Sequence, residues 1–269
     1  MYKAIMCDMD GTLAESRQPA SKKMIELIEK LSKDHQFFII TGGKLSLIND
    51  QIISQLKSKQ THLHLLPTSG NQYYHYIEEK MDEVYKEDMA TDDINLVLDA
   101  IMFTIHKFVL FPKAYDQIEI RDSQVTFSVL GRTAPQWAKM EYDPTGDRRK
   151  PFVEAMKIYL AKREPDFEIR IGGTTSIDIT YKGHNKGYGL EKMKEIHGFK
   201  NKEILFIGDK CFFGGNDYDI AKEVPHIQVM DEIECARIFN KMVKGEDIEI
   251  FIQPPSAIDG IVKNYCNPI

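Results

Sequence analysis

Short apolar runs alternate with segments of helical period at both ends of this 269-residue chain, and that alternation constrains the fold more than any other feature. Tyr2 to Cys7 reads as a strand, and Ser21 then caps a helix whose Met24, Leu27, Ile28 and Leu31 recur at helical spacing. Gln36 to Thr41 is a second strand ending in Gly42-Gly43. Leu45, Ile48, Ile52 and Leu56 mark another helix, and Leu63 to Leu66 a third strand. The rhythm returns late in the chain, where Glu203 to Ile207, followed by Gly208-Asp209, and Ile227 to Met230 are short apolar strands with helical segments beside them. Strands that alternate with helices build a parallel sheet covered on both faces, so the fold class is α/β with a Rossmann-like parallel-sheet core.

The middle of the chain has a different rhythm. Gln117 to Arg121, a turn at Asp122-Ser123, and Val125 to Leu130 read as a hairpin. A helix with Phe152, Ala155, Met156, Tyr159 and Leu160 on one face follows. A second hairpin joins Phe167 to Ile171 and Ser176 to Thr180 through Gly172-Gly173. Hairpins around helices imply an antiparallel sheet, hence an inserted α+β cap domain over residues 82–184. The core is then discontinuous, residues 1–81 and 185–243. A C-terminal extension, 244–269, carries Pro254-Pro255 and Pro268 and fits neither pattern.

Composition excludes several function classes. A net charge of −6 and a pI near 5.8 argue against a nucleic-acid surface while leaving room for local anion pockets. Cys7, Cys211, Cys235 and Cys266 form neither a CxxC pair nor a regular framework, so reduced thiols are expected and cysteine-bound metal is not. No apolar stretch approaches the roughly 20 residues of a membrane helix, and no leader precedes the first strand; the expectation is a cytoplasmic protein with no membrane partner.

In a parallel α/β sheet, ligands bind outside the carboxyl ends of the strands. Four polar clusters fall there: Asp8 and Asp10 in "CDMDGT", Thr41, Lys186, and Asp209 with Asn216 and Asp217 in "GDKCFFGGND". Carboxylates one residue apart at the end of a buried strand repel each other unless a cation, a proton or a donor array sits between them. One such pair is a weak signal, since an aspartate there often only caps a helix. Four clusters in this order are specific.

Together these residues resemble the haloacid dehalogenase superfamily of phosphoryl-transfer enzymes. The resemblance implies Asp8 as nucleophile and metal ligand, and Asp10 as general acid and base with its backbone carbonyl on the metal. It implies Thr41 as hydrogen-bond donor to the phosphoryl group, Lys186 as its charge balance, and Asp209 completing the site with Asn216 and Asp217 behind. Mg²⁺, a hard ion that takes oxygen ligands, would relieve the repulsion between the carboxylates. Within the superfamily, "DGTLAESRQ" with Arg17, "IEIRDSQVTFSVLGR" with Arg121 and Arg132, "FVEAMK", and "GGTTSIDI" with Ser176 and Asp178 resemble the eukaryotic-type phosphomannomutases over about residues 1 to 243. The resemblance implies that the arginines hold the phosphate not being transferred, that Ser176 and Asp178 face the sugar, and that the chain is a homodimer joined through the cap. A hexose bisphosphate would stimulate such an enzyme.

The chain departs from that pattern twice. Lys139 stands where the family carries a third phosphate-binding arginine; it keeps the charge but loses the planar fork, and Arg148 or Arg149 is the candidate replacement. Phe213 replaces a proline in the metal-site loop. Three functions therefore compete: a hexose-phosphate mutase, a phosphatase acting on a phosphosugar, and a non-catalytic binding protein of the same fold. The last would show a substituted nucleophile, acid or metal ligand, and Asp8, Asp10, Lys186 and Asp209 are all present.

Overall fold

The computed structural model describes residues 2–57, 62–77, 80–110, 116–161, 163 and 165–251. The chain divides into two compact units, residues 1–86 with 185–269, and residues 87–184. The division falls after Lys86 rather than near Met81, because the last strand of the first unit continues to that residue.

In the first unit, β1 (Ala4–Asp8), β2 (Gln36–Ile40), β3 (Leu63–Leu66), β4 (Gln72–Ile77), β5 (Lys80–Lys86), β10 (Ile204–Gly208) and β11 (His226–Gln228) form one sheet in the order β11-β10-β1-β2-β3-β4-β5. The first five of that order pair in parallel, and β4 and β5 add an antiparallel edge. All five residues of β1 are buried, and they alternate between two cores. Ile5 and Cys7 pack with Met24, Ile28 and Leu31 of α1 (Lys22–Asp34) and with Cys235 and Phe239 of α8 (Glu232–Lys244). Ala4 and Met6 pack with Leu190 and Met193 of α6 (Lys186–His197) and with Ile220 of α7 (Tyr218–Ala221). A strand buried on both faces has to be apolar at every position, which is why these segments read as unbroken apolar runs. Ser21 caps α1 as expected, its hydroxyl accepting from the Met24 N–H at 3.2 Å. The helix expected from Leu45 to Leu56 is shorter: α2 spans Leu45–Gln51 and a 3-10 turn follows at Ile53–Gln55.

The second unit is a four-stranded antiparallel sheet, β6 (Ile118–Ile120), β7 (Val125–Ser128), β8 (Phe167–Gly172) and β9 (Ser176–Tyr181), in the order β6-β7-β9-β8. Its helices are α3 (Thr91–Lys107), α4 (Gln136–Tyr142) and α5 (Lys150–Leu160). The register separates the two faces. Ile120, Val125, Ile179 and Ile169 form one cross-strand row, and Val125, Ile179 and Ile169 share a core with Val97 and Ile101 of α3 and Phe152 and Met156 of α5. The neighbouring row is Glu119, Thr126, Asp178 and Arg170. One face of this sheet is therefore greasy and covered by helices, and the other is polar.

Candidate active site

Asp8 is the last residue of β1, and Thr41 and Asp209 each follow the last residue of their strand, so the parallel sheet delivers three polar side chains to one end. Asp8 is 3% exposed and Asp217 fully buried. Between them lies the Lys186 ammonium, 2.5 Å from Asp8 Oδ1 and 2.6 Å from Asp217 Oδ1. Lys186 is the first residue of α6, whose N-cap Asn185 accepts from the Gly187 N–H at 2.8 Å. A cation at a helix N-terminus opposes the helix dipole, so its place there is explained by the two carboxylates rather than by the helix. Burial alone would lower the lysine's pKa, but Asp217 and Asp8 raise it above the ordinary value and keep it charged. Burial pushes the Asp8 carboxyl well up, Asp217 and Asp209 push it further, and Lys186 pulls it back only in part.

Ligand oxygens of Asp8, Asp209 and Asp217 lie within 4.8 Å of one another. Asp209 Oδ2 takes the Lys210 ammonium at 2.9 Å, whereas its buried Oδ1 has no hydrogen-bond partner among the described residues. Three hard oxygen donors, the Asp8 and Asp209 carboxyls pushed upward first by burial and then by neighbouring carboxylates, and one orphaned buried oxygen are what a divalent cation would satisfy. Glycines make the crowding possible. A Cβ on Gly11, which sits at φ +82°, would lie 2.8 Å from Asp209 Oδ2, and one on Gly208 would lie 2.5 Å from Asp217 Oδ2.

The remaining residues of the expected core site are arranged around this trio. The Asp10 carboxylate is outside it; its Oδ1 accepts the backbone N–H of Arg17 at 3.1 Å, which holds Arg17 at φ 61° with its side chain exposed. Thr41 is 2% exposed, and its Oγ1 accepts the Gly43 N–H at 3.0 Å, which leaves the hydroxyl hydrogen to donate. Asn216 is exposed on the loop before α7, and its neighbour Asp217 is one of the three clustered carboxylates. Cys7, Cys211 and Cys235 are buried and free; Cys266 lies outside the described residues. A cavity of about 610 Å³ opens at the other end of the same sheet, beside Lys3, Gln36 and His62, remote from the carboxylates.

The polar face of the second unit gathers the other candidates. Arg121 Nε and one terminal nitrogen donate to Glu119 Oε2 at 3.1 and 2.8 Å, and an Arg132 terminal nitrogen is 3.3 Å from Glu119 Oε1. The Lys139 ammonium donates to the Arg132 backbone carbonyl. Asp178 Oδ1 accepts from the Thr126 hydroxyl at 2.7 Å, and Ser176 lies two residues away on the same side of β9. Gly172 has to be glycine, because a Cβ there would stand 2.3 Å from Asp178 Oδ2. Arg148 is exposed over the Tyr142 ring. Arg149 is 1% exposed with all five N–H donors bound, to Asp143 Oδ2 and to the carbonyls of Asp143, Gly172, Gly173 and Ser176, so it has no donor left for a ligand. Glu119 and Arg170 join this face without having stood out in the sequence. A glutamate two residues before an arginine on a strand is the only signal, and it is a common surface pattern.

The model of the eukaryotic phosphomannomutase family matches residues 24–244. The chain belongs to that family. A phosphomannomutase of Encephalitozoon cuniculi is 29% identical over 245 residues, which cover 88% of this chain and 92% of that protein. One from Saccharomyces cerevisiae is 28% identical over 221 residues, 80% and 84% of the two chains. Among solved structures, the IMP-nucleotidase of Plasmodium falciparum superposes with a TM-score of 0.69 at 15% identity, over 90% of this chain and 68% of that one. A Streptococcus mutans protein superposes with 0.65 at 15% identity, over 91% and 100%. At such identities the likeness speaks for the fold alone, and that fold is the haloacid dehalogenase one expected from the sequence. In this phosphomannomutase-family chain Asp8, Asp10, Lys186 and Asp209 are all present.

Proposed function

We propose that the chain moves a phosphoryl group between the C1 and C6 oxygens of a hexose, as a phosphomannomutase-like enzyme working through an aspartyl phosphate on Asp8. An Asp8 carboxylate oxygen attacks one phosphorus of a hexose bisphosphate, the bond from that phosphorus to the sugar oxygen breaks, and that oxygen takes its proton from Asp10, while the second phosphate stays on the sugar. In the return step the free hydroxyl of a hexose monophosphate attacks the aspartyl phosphate while Asp10 takes the proton back. Thr41 donates its free hydroxyl hydrogen to a phosphoryl oxygen, and Lys186 moves its charge from Asp8 toward that group as the negative charge shifts. Asp8, Asp209 and Asp217 would hold Mg²⁺, with the Asp10 carbonyl as a further oxygen. The ion would supply charge neutralisation on the transferring group.

The polar face of the second unit carries the mutase reading. A phosphatase needs only the core cluster, whereas a mutase also has to hold the phosphate that stays on the sugar. Arg121, Arg132 and Lys139 supply cations for it, and Ser176 and Asp178 supply hydrogen-bonding groups for a sugar. Exposed Trp137 and Met140, one turn apart on α4, support a homodimer through this unit. No helix among the described residues is long and apolar enough to cross a membrane.

Incubation with Mg²⁺ and mannose 1-phosphate or glucose 1-phosphate, with a hexose bisphosphate present, tests the proposal. The expected product is the 6-phosphate, and Asp8→Asn abolishes it. Inorganic phosphate released without any isomerised sugar would leave a phosphosugar phosphatase instead.

A further inference from the structure

Two arginines that share one anion have to be kept side by side before the anion arrives, against their mutual repulsion. On the polar face of the cap one side chain, Glu119, reaches both. Glu119 stands on β6, 18% exposed, and divides its two oxygens: Oε2 takes the fork of Arg121, and Oε1 faces Arg132 at 3.3 Å. Arg121 is its neighbour two residues on, a pairing frequent on any strand surface. Arg132 is not; it comes from beyond β7, thirteen residues along the chain, and its backbone N–H is tied to the Asp116 carbonyl at 3.1 Å. The cross-strand row places Glu119 opposite Thr126, whose own hydroxyl donates to Asp178. The carboxylate therefore lies where the arginine pair and the expected sugar-facing residues meet.

We infer that Glu119 is a positioning residue, whose carboxylate holds Arg121 and Arg132 as one preassembled receptor for a phosphate monoester carried on a hexose. This rests on the mutase reading of the two arginines. With Lys139 at the Arg132 carbonyl, three cations and one carboxylate leave a net charge of about +2, which matches a phosphate dianion. Glu119 does not touch the ligand. It fixes the separation and the planes of the two guanidinium groups, and so removes the ordering cost that two free arginine side chains would carry at binding. The length of the side chain matters, since an aspartate would draw the carboxylate back from one arginine or the other.

The test measures binding of glucose 6-phosphate by calorimetry, in the full chain carrying Asp8→Asn so that the sugar is not turned over. Glu119→Gln keeps the shape but offers one acceptor oxygen instead of two, and Glu119→Ala removes both. Both are expected to weaken binding about tenfold, the factor one charge-assisted contact carries. In the turnover-competent chain the same changes are expected to raise KM more than they lower kcat. The decisive readout is coupling: in an Arg121→Ala/Arg132→Ala background, Glu119→Gln should change the affinity by less than twofold, because the groups it positions are gone. Binding that is unchanged or tighter in Glu119→Gln, with Arg132→Ala still weakening it, overturns the positioning role and leaves the mutase reading intact. An effect of Glu119→Gln that persists undiminished without the arginines also overturns it. If Arg121→Ala and Arg132→Ala themselves leave glucose 6-phosphate binding unchanged, the phosphate role of the arginines falls, and this inference with it. Far-UV circular dichroism of each variant separates these outcomes from loss of the fold.

Discussion

Arg149 and Arg132 look alike in the sequence, yet only one of them is available to a ligand. The partners of Arg149 are four backbone carbonyls and the 2%-exposed side chain of Asp143, and backbone carbonyls have no residue type to read. An arginine that staples the Gly172-Gly173 turn therefore passes for a replacement phosphate ligand until its five donors are traced. Although burial raises the Asp143 carboxyl, hydrogen bonds from Arg149 and from two backbone N–H groups bring it below the ordinary aspartate value. Arg149→Ala leaves that carboxylate buried without its ion partner, and a loss of about 3–5 kcal/mol is expected in urea unfolding followed by circular dichroism. Arg148→Ala, next door and exposed, should move the same transition by less than about 0.5 kcal/mol. The core aspartates were legible for the opposite reason. Asp8, Asp10 and Asp209 stand at the ends of apolar strands, where a charge is costly and so stands out. Glu119 stands on a half-polar strand, where a charge is ordinary.

Helix α6 presents Lys186 to the carboxylates only because its backbone can approach the loop after β3. Gly189 and Gly70 meet there, and a Cβ on Gly189 would lie 2.9 Å from Gly70 Cα and 3.0 Å from Ile40 Cδ1. Glycine to alanine inside a helix ordinarily stabilises by about 1 kcal/mol. Here the crowding outweighs that gain, so Gly189→Ala should destabilise by about 1–2 kcal/mol in thermal unfolding and lower turnover by displacing Lys186. At its other end, α6 places His197 in a hydrogen-bonded chain through β3 and β4. The Tyr73 hydroxyl lies 2.7 Å from both His64 Nδ1 and His197 Nε2, while His64 Nε2 reaches Gln36 Oε1. Burial first, then the neighbouring histidines 75, 197 and 62, lower the pKa of His64 from 6.5 to about 2. Because the folded chain refuses the proton that the unfolded chain accepts, stability is full above pH 6.5 and falls with pH below it, by about 1.4 kcal/mol per unit for this one group. The slope of unfolding free energy between pH 6.5 and 5 should flatten in His64→Gln by up to that amount. Such a network was not readable in advance, since its members are scattered from residue 36 to residue 197. Helix α3 went unread for another reason: Met102 and Phe103 are exposed on its outer side and blur the apolar stripe.

At the scale of the whole chain, the alternation of strand and helix announced the parallel sheet and its interruption, because each buried strand demands an apolar run. The antiparallel edge made by β4 and β5 was hidden, since "QYYHYI" and "KMDEVYK" mix aromatic, charged and imidazole side chains without a clear period of two. Binding of Mg²⁺ to the folded chain should raise its melting temperature, with about 2.7 kcal/mol of added stability at a hundredfold excess over Kd. Asp209→Asn should suppress that rise in a calorimetric titration. The opposite edge of the sheet is closed by the chain itself. After Gly245 ends α8, Ile248 and Ile250 pack against the core, and Phe251 pairs antiparallel with His226 of β11, its N–H donating at 2.9 Å and its carbonyl accepting at 2.9 Å. A chain cut after Lys244 would present an uncovered strand edge of three residues beside freshly exposed apolar surface, an invitation to pair with another molecule. Light scattering should show such a fragment growing into particles as its concentration rises, the outcome expected if residues 245–251 guard this edge against aggregation.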